Sequence, residues 1–209
     1  MQQPGRRELN KQRCRANILK SARKLFRARG YEDTTIEEIA DAASVSRATL
    51  YNYFPCKENL LTGIADAALD EVRLLIRRER KKGAPAQEIL RQVLTALAVD
   101  AVRYLPLSRR ILYLNAFPES SLYPTRRELL DILGDLAEQA RQEGSLRAEL
   151  TAAELAEAFL GLYLLSQFGW PELPGMSEAD CRARVDRMVD RALAGIGAEK
   201  EEPHAGSGI

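Results

Sequence analysis

The stretch from Thr34 to Leu61 constrains the fold of this chain more than any other, because it predicts two short helices joined by a tight turn. Thr35 and Glu38 have the spacing of a capping box, in which the hydroxyl and the carboxylate each bind a backbone amide at the start of a helix. Apolar residues then recur at helical spacing and predict one buried face: Ile36, Ile39, Ala40 and Ala43. Ser46 follows and is placed to cap a second helix, which extends to about Phe54.

The second short helix divides into a buried face and a free face. Leu50 and Phe54 lie four residues apart and point inward, which leaves polar side chains on the other side. This arrangement is typical of a helix-turn-helix, whose second helix enters the DNA major groove. Arg47 suits a guanine edge and Asn52 an adenine edge, while a hydroxyl such as that of Tyr51 suits a phosphate. A helical hairpin within an all-α core is the alternative, but it would not usually expose such side chains together.

The same segment closely resembles the DNA-binding region of the TetR family of bacterial transcription regulators. The resemblance runs without a gap from Tyr31 to Leu61, and the matching residues, with the glycine before them, are Gly30, Tyr31, Thr34, Thr35, Ile39, Ala40, Ala43, Val45, Ser46, Thr49, Leu50, Tyr51, Tyr53, Phe54, Lys57 and Glu58. Two positions depart from the family, which usually has Gly where Ser44 stands and often has Gly where Ala48 stands. A left-handed Ser would cost about 1 kcal/mol relative to Gly, which the fold can tolerate.

The helix-turn-helix and the resemblance together predict the residues that contact double-stranded DNA. These are Thr34, Thr35, Ser44, Ser46, Arg47, Ala48, Thr49, Tyr51, Asn52, Tyr53 and Lys57. Pro55 is expected in the first turn of the next helix, and Lys57 is expected in that same turn, where free backbone amides favour a phosphate. A homodimer that binds a palindromic operator agrees with this motif, because a two-fold protein contacts two equivalent half-sites.

Charge and cysteine usage support binding to a polyanion and argue against catalysis. The net charge is +1, but residues 1–30 carry +9 and the rest carries −8, so one end of the chain is strongly basic. The three cysteines are far apart and there is one His, so we expect no metal, no cofactor and no disulfide. Paired catalytic acids and a glycine-rich phosphate loop are missing from the sequence, so we do not expect an enzyme. No apolar run could span a membrane and no signal-peptide pattern is present, which indicates the cytoplasm.

The sequence predicts an all-α protein of about nine helices in two functional parts. Residues 1–9 are expected to form a disordered basic arm, followed by a three-helix DNA-binding domain over 10–54 with the helix-turn-helix at about 35–55. A helical regulatory and dimerisation domain is expected over 55–196, and a disordered tail over 197–209. The outer face of the first helix is expected to carry Arg13, Lys20, Arg23, Lys24 and Arg27.

Caps and prolines predict the helix boundaries. Beyond the helix-turn-helix, helices are expected from Pro55 to about Lys82, Ala86 to Leu105, Ser108 to Phe117, Thr125 to Gly144, Thr151 to Gly169 and Ser177 to about Gly195. Pro106 is expected to interrupt the chain between the second and third of these. Three of the helices begin with a capping pair, namely Thr125 with Glu128, Thr151 with Glu154 and Ser177 with Asp180.

The last two helices carry more apolar surface than one core requires. The resemblance implies that they pair with their symmetry mates in a four-helix bundle between two subunits. The predicted interface residues are Leu155, Phe159, Leu162, Val185, Met188, Val189, Ala192 and Leu193.

The central helices hold aromatic residues that either fill a core or line a small-molecule cavity. For any single aromatic the core is the simpler interpretation. The resemblance implies a cavity for an inducer that releases a repressor from DNA, and the candidates are Arg103, Tyr104, Tyr113, Asn115, Phe117, Tyr123, Phe159, Tyr163, Phe168 and Trp170. The alternative is a redox-responsive regulator switched through Cys56, which is expected at a helix N-terminus, where a thiolate is favoured.

Overall fold

The computed structural model describes residues 5–170 and 175–196, which form nine α-helices and no strand. The all-α prediction is confirmed. The helices are α1 Arg6–Arg29, α2 Ile36–Ala42, α3 Arg47–Tyr53, α4 Lys57–Lys81, α5 Ala86–Arg103, α6 Leu105–Leu114, α7 Tyr123–Gln142, α8 Ala152–Phe168 and α9 Glu178–Ile196. No helix within these two ranges is long and apolar enough to cross a membrane. The predicted disordered tail lies outside the described residues.

Helix α1 begins earlier than the sequence suggested. The expected disordered arm is wrong for residues 6–9, which are helical, and residues 1–4 lie outside the described part of the chain. The Gly5 carbonyl accepts hydrogen bonds from the amides of Glu8 and Leu9, and the carboxylate of Glu8 complements the positive end of the helix. At the other end Gly30 stops α1 with a φ of +89°, which a side chain would disfavour.

The two predicted caps of the helix-turn-helix are confirmed. Thr35 Oγ1 accepts a hydrogen bond from the amide of Glu38 at 3.2 Å, and Glu38 Oε2 accepts one from the amide of Thr35 at 2.9 Å. Ser46 Oγ accepts a hydrogen bond from the amide of Thr49 at 3.0 Å, so α3 begins immediately after it. Local side-chain chemistry therefore fixes where both short helices start.

Three helix boundaries that were predicted next to prolines differ in the structure. Helix α4 does not include Pro55, because Cys56 takes the capping position and its amide donates to Asn59 Oδ1 at 3.1 Å. Pro106 does not interrupt the chain but lies in the first turn of α6, which therefore begins three residues before the predicted span of 108–117. Pro124 likewise lies in the first turn of α7. A proline fits such a turn because its missing amide would have no partner there.

The predicted cap of α7 is wrong. Thr125 lies inside the first turn and its buried hydroxyl donates to the carbonyl of Leu122 at 2.7 Å. Glu128 instead forms an ion pair with Arg73 of α4. By contrast, the predicted capping box of Thr151 with Glu154 is confirmed.

The helices surround two hydrophobic cores that share α4. The N-terminal core contains Ile18, Leu19, Ala22, Phe26, Ile39, Ala40, Ala43, Leu50, Phe54, Leu60, Leu61, Ile64, Ala65, Leu107 and Leu122. The C-terminal core is built by α5, α7, α8 and α9 together with Leu69, Val72 and Ile76 from the second half of α4. Since Leu107 and Leu122 belong to the N-terminal core, the packing of the DNA-binding part continues well beyond residue 54.

Several predicted dimer residues are instead buried within the single chain. Leu155, Phe159, Val185, Val189 and Leu193 are all at most 4% exposed and belong to the C-terminal core. The inward stripe of α9 faces α5, because the two helices pack along their length. Three of the predicted interface residues remain half-buried, and these are Leu162, Met188 and Ala192.

Candidate nucleic-acid interface and ligand cavity

Helix α3 presents one polar face to solvent while its opposite face is locked in the N-terminal core. Leu50 is fully buried. The exposed residues of α3 are Arg47, Ala48, Tyr51 and Asn52, with Tyr51 44% exposed. These side chains stand on a helix whose inner face is held in place, which suits contacts to base edges and phosphates.

The first residue of α3 is Arg47, whose cationic side chain is exposed. The Arg47 side chain is 68% exposed and its Nη1 lies 3.7 Å from Glu37 Oε1, so a weak ion pair holds it above α2. The turn before it is made by Ser44, whose φ of +55° is the left-handed conformation expected where the family usually has Gly. Asn17 Nδ2 of α1 donates to the carbonyl of Ala43 at 2.8 Å and fixes this turn to the first helix.

Not every predicted DNA contact is accessible. Thr34 is 1% exposed and its hydroxyl donates to the carbonyl of Gly30 at 2.7 Å, which contradicts its predicted contact with DNA. Tyr53 is half-buried, and burial, followed by a hydrogen bond with Cys14, raises the pKa of its hydroxyl. Thr49 Oγ1 lies 2.8 Å from Ser46 Oγ, so the Thr49 hydroxyl is hydrogen-bonded to the same oxygen that caps the helix. Ser44 and Ser46 are exposed in the turn between α2 and α3, and Thr35 is exposed at the start of α2.

Lys57 and Arg110 both contact the ring of Tyr31 at the end of the helix-turn-helix. Lys57 Nζ lies 4.4 Å from the ring centre and donates to the carbonyl of Glu32 at 3.1 Å. The guanidinium of Arg110, from α6, lies 4.2 Å from the same ring, and its Nη1 pairs with Glu32 Oε1 at 2.7 Å. Helix α6 is therefore attached directly to the loop that precedes α2.

A small cavity lies where the N-terminal and C-terminal cores meet. It has a volume of about 80 Å³. Its apolar wall comes from both cores and consists of Ile64, Ala65, Ala68, Leu69, Leu97, Leu107, Ile111, Leu112 and Leu129. An apolar cavity of about 150 Å³ accommodates benzene, and this cavity is smaller than that. A ligand of the size of benzene or larger must therefore displace walls that belong to different cores.

Polar groups reach into this cavity from several helices: Arg23, Asp100, Tyr104, Ser108, Asn115, Thr125 and Tyr163. Asn115 is 6% exposed, and no hydrogen-bond partner for its Oδ1 exists among residues 5–170 and 175–196. Burial raises the pKa of the Tyr163 hydroxyl to about 12, so this group remains a neutral donor at physiological pH. A mostly apolar wall with a few polar groups is the usual form of a small-molecule site.

Three of the ten predicted pocket residues line this cavity, namely Tyr104, Asn115 and Tyr163. Phe159 and Trp170 fill the C-terminal core, while Tyr113, Phe117 and Phe168 are exposed on the surface. Tyr123 is half-buried at the start of α7, outside the cavity wall. Arg103 is exposed and binds Glu178 through two hydrogen bonds of 2.7 Å, which raise its pKa.

The sequence missed the basic residue that matters most to the cavity. Arg23 was expected on the outer face of α1, but it is half-buried, pairs with Asp100 of α5 and lies 4.0 Å from the centre of the Tyr104 ring. Its spacing from Ala22 and Phe26 gives no local sign of this, because the partners lie about 80 residues away in the chain.

Cys56 occupies the predicted position at the N-terminus of α4. It is exposed and its thiol donates to Asn59 Oδ1 at 3.0 Å. Cys14 is half-buried and Cys181 is buried in the C-terminal core. Within the described residues, no group of three or more His, Cys, Asp or Glu side chains is placed to hold a metal ion.

Comparison with known proteins identifies the class to which this geometry belongs. The family described as bacterial regulatory proteins of the tetR family matches residues 18–64, which span the second half of α1, the helix-turn-helix and the start of α4. The transcriptional repressor KstR2 of Rhodococcus jostii is 31% identical over 159 residues, which cover 70% of this chain and 74% of that protein. The chain therefore belongs to the TetR family and is a helix-turn-helix transcriptional regulator.

FadR matches this chain over almost the whole fold, whereas TcmR matches it over a shorter stretch of sequence. The crystal structure of Thermus thermophilus FadR, a TetR-family repressor solved with lauroyl-CoA, superposes with a TM-score of 0.65 at 28% identity and covers 93% of this chain and 100% of that one. The regulator TcmR of Streptomyces glaucescens is 40% identical over 81 residues, or 38% of this chain and 35% of TcmR. In matches of about 80 residues such as this one, the chain spans about a third of the length of the relative.

Proposed function

We propose that this regulator is a repressor that binds a palindromic operator as a homodimer and leaves it when a small apolar molecule enters the cavity. The observation that carries the proposal is the division of α3, with Leu50 fixed in the core and Arg47, Tyr51 and Asn52 exposed together. KstR2 and FadR, both named as repressors, support the direction of control. The protein acts by binding and not by catalysis, and it works in the cytoplasm, where bacterial DNA lies.

The proposed DNA contacts divide into those that distinguish bases and those that position the helix. Arg47 and Asn52 contact base edges, and Ala48 faces the groove between them. The phosphate contacts come from Thr35, Ser44, Ser46, Thr49, Tyr51, Tyr53 and Lys57, of which Tyr53 and Lys57 must first leave their present contacts.

Release from DNA follows from the position of the cavity between the two cores. An occupant that pushes the walls apart moves α6, because Leu107 and Ile111 line the cavity. Helix α6 also contacts the loop before α2 through Arg110 and Tyr31, so a shift of α6 reaches the DNA-binding part directly. The lauroyl-CoA bound to FadR makes an acyl group the first candidate for the apolar ligand.

The proposed dimer interface uses the face of α8 that the single chain leaves uncovered. Ala158, Gly161, Leu165 and Phe168 follow one another at helical spacing and are exposed, with Leu165 48% and Phe168 57% exposed. The small residues at 158 and 161 would allow a second helix to approach closely. The half-buried Leu162 borders this stripe.

Fluorescence anisotropy with the purified protein and DNA flanking its own gene tests the proposal. We expect selective binding that weakens steeply with salt, because phosphate contacts release counterions. Lauroyl-CoA, added to labelled operator that is saturated with the protein, is expected to release the DNA and so to lower the anisotropy. Equal affinity for this DNA and a scrambled duplex would contradict the proposed operator, whereas retained binding with lauroyl-CoA present would contradict an acyl-CoA effector.

Redox control through Cys56 is a second candidate, because the exposed thiol lies at the start of α4 next to the proposed phosphate contact Lys57. Peroxide would then weaken operator binding by the wild type and leave the Cys56→Ser variant unaffected. Equal responses of the two proteins would exclude this route.

A further inference from the structure

A surface groove between α1 and α4 meets the cavity at Arg23. The groove has a volume of about 640 Å³ and is lined by Gln12, Arg15, Ala16, Leu19, Lys20, Arg23, Lys24, Ile64, Ala67, Asp70, Glu71 and Tyr104. Arg23, Ile64 and Tyr104 line the cavity as well, so these three residues form the boundary between the cavity and the groove. We call this surface the α1–α4 groove.

The α1–α4 groove carries surplus positive charge once its ion pairs are set aside. Arg15 lies 3.8 Å from Asp66, Asp70 lies 3.0 Å from Arg73, and Arg23 pairs with Asp100. Of the remaining charges along the groove, Lys20 and Lys24 are positive and Glu71 is negative. The α1–α4 groove therefore attracts anionic groups that enter the cavity from this side.

Arg23 itself retains capacity to bind a ligand. Its Nε is buried and has no hydrogen-bond acceptor in the part of the chain that the structure describes, although its Nη2 binds Asp100. A second guanidinium, that of Arg27, lies 5.6 Å from the centre of the Tyr104 ring and adds positive charge beside the same boundary. The Oδ1 of Asn115, which also lines the cavity, likewise has no hydrogen-bond partner among the described residues, so the largely apolar wall carries two polar atoms that a ligand can bind.

We propose that the effector enters from the α1–α4 groove and that Arg23 is its binding residue. The ligand is an apolar chain that occupies the cavity and ends in an anionic oxygen group, which replaces the carboxylate of Asp100 on Arg23. Free carboxylates and the phosphates of a coenzyme A ester share this chemistry. The inference rests on the proposed function, because it assigns the ligand class and the switch to the same cavity.

This exchange links ligand binding to the DNA-binding part. Arg23 belongs to α1 and Asp100 to α5, so their ion pair connects the two cores across the cavity. A ligand that takes Arg23 frees Asp100, which is one-third exposed and can turn to water. The attachment of α1 to α5 is then replaced by an attachment of α1 to the ligand.

Isothermal titration calorimetry with decanoate, decanoyl-CoA and decanol distinguishes the affinity that the anionic group contributes from the affinity that the hydrocarbon chain contributes. We expect at least one of the two anionic compounds to bind roughly tenfold to a hundredfold more tightly than decanol, the ratio expected for a hydrogen bond to a charged group. Decanoate binding identifies a carboxylate as the source, and binding of decanoyl-CoA alone identifies the phosphates. Binding of neither compound, or equal binding of decanol, would overturn the inference.

The two partners of the ion pair should act in opposite directions. Arg23→Gln is expected to remove most of the preference for the anion and to leave decanol binding unchanged. Asp100→Asn is expected to strengthen anion binding severalfold, since the competing carboxylate is gone. Arg77→Gln, an exposed arginine on α4 outside the cavity and the groove, is the matched control.

A structural role of the pair gives a different pattern. If Arg23→Gln and Asp100→Asn weaken anion binding together, or if Arg23→Gln changes nothing, the inference is wrong. Circular dichroism establishes that each variant is folded, and operator affinity without ligand is measured in parallel. Failure to bind any operator would contradict the proposed function, while the ligand titrations would still decide the role of Arg23.

Discussion

The guanidinium of Arg23 on α1 and the carboxylate of Asp100 on α5 form an ion pair at the boundary between the two hydrophobic cores. Both side chains are only partly exposed, and Arg23 also stacks on Tyr104, the residue that joins α5 to α6. The N-terminal core is therefore connected to the C-terminal core through charged and aromatic contacts beside a cavity, as well as through α4. Such contacts can be exchanged by a ligand without unfolding either core.

Replacing Arg47 with Ala is expected to weaken operator binding by about 1–3 kcal/mol and to relax specificity at one base pair, because a bidentate contact to a base edge is lost. Tyr51→Ala should weaken binding to operator and scrambled duplexes by the same factor, since a phosphate contact carries no sequence information. Anisotropy titrations on both duplexes measure the difference.

Arg77→Ala provides the control for these DNA measurements. Arg77 is exposed on the same long helix as Lys57, about 30 Å further along at 1.5 Å per residue. Its removal should leave both affinities unchanged. A uniform loss of affinity for Arg47→Ala on the two duplexes would show that Arg47 contacts phosphate and not a base.

Replacing Gly63 with Ala is expected to destabilise the protein by about 1–3 kcal/mol, the usual effect of overpacking a core. A Cβ at this position would lie 2.8 Å from Phe54 Cε1 and 2.9 Å from Leu19 Cδ2, so α4 approaches the N-terminal core too closely for a side chain. Urea denaturation measures the change.

Gly134→Ala is the matched substitution for comparison with Gly63. At Gly134 the nearest atom to a new Cβ is that of Ala156, at an ordinary 3.9 Å, so the higher helix propensity of Ala should stabilise α7 by up to about 1 kcal/mol. If both alanine substitutions stabilise the protein, the contact between α4 and the N-terminal core adjusts to an added methyl group at little cost, and the prediction for Gly63 is wrong.

Replacing Leu165 with Glu is expected to convert the proposed dimer to a monomer, because the exposed apolar face of α8 would then bury a charge. Operator affinity should fall steeply with it, since two half-sites are no longer bound together. Sedimentation equilibrium measures the oligomeric state. Leu74→Glu is the control, because Leu74 is 58% exposed on α4, away from α8. Loss of the dimer in the control alone would assign the interface to α4.

The capping box of α8 should contribute to the acid sensitivity of the fold. The backbone hydrogen bond from Thr151 holds the pKa of Glu154 below its usual value of 4.5. Because the folded pKa is lower than the unfolded one, the ionised carboxylate stabilises the protein above about pH 4.5, and this stabilisation is lost as the pH falls through the folded pKa. Glu154→Gln keeps an acceptor for the cap but cannot titrate, so its stability should fall less between pH 7 and pH 3.

Denaturant unfolding at a series of pH values gives the comparison for Glu154. Glu157→Gln, an exposed substitution on the next turn of α8, provides the reference for the loss of one carboxylate. Parallel stability curves for the wild type and Glu154→Gln would mean that the capping carboxylate does not titrate differently in the folded state.

Short-range chemistry was predictable from the sequence. The caps formed by Thr35, Ser46, Thr151 and Ser177 all join a hydroxyl to a backbone amide three residues later, and each was confirmed. The left-handed turn at Ser44 is also confirmed. These interactions depend on residues that are adjacent in the chain, so the pattern itself contains both partners.

Thr125 shows where the same reasoning fails. Its spacing from Glu128 is that of a capping box, yet Glu128 pairs with Arg73 and the helix starts two residues earlier. The proline that follows Tyr123 already suits a first turn, and a cation from another helix offers the carboxylate a charged partner in place of a backbone amide. The competing partner lies 55 residues away and is invisible in the local pattern.

The sequence by itself determined the class of this protein, because the helix-turn-helix is specified by caps, turn residues and apolar spacing within about thirty residues. Only the tertiary structure decided which apolar face of α8 is covered by its own chain, which aromatic residues reach the cavity, and that Arg23 turns inward to Asp100. Periodicity states that a face is apolar but not which partner covers it. That choice depends on how helices from distant parts of the chain pack together, since burial and ion pairing are properties of the assembled cores.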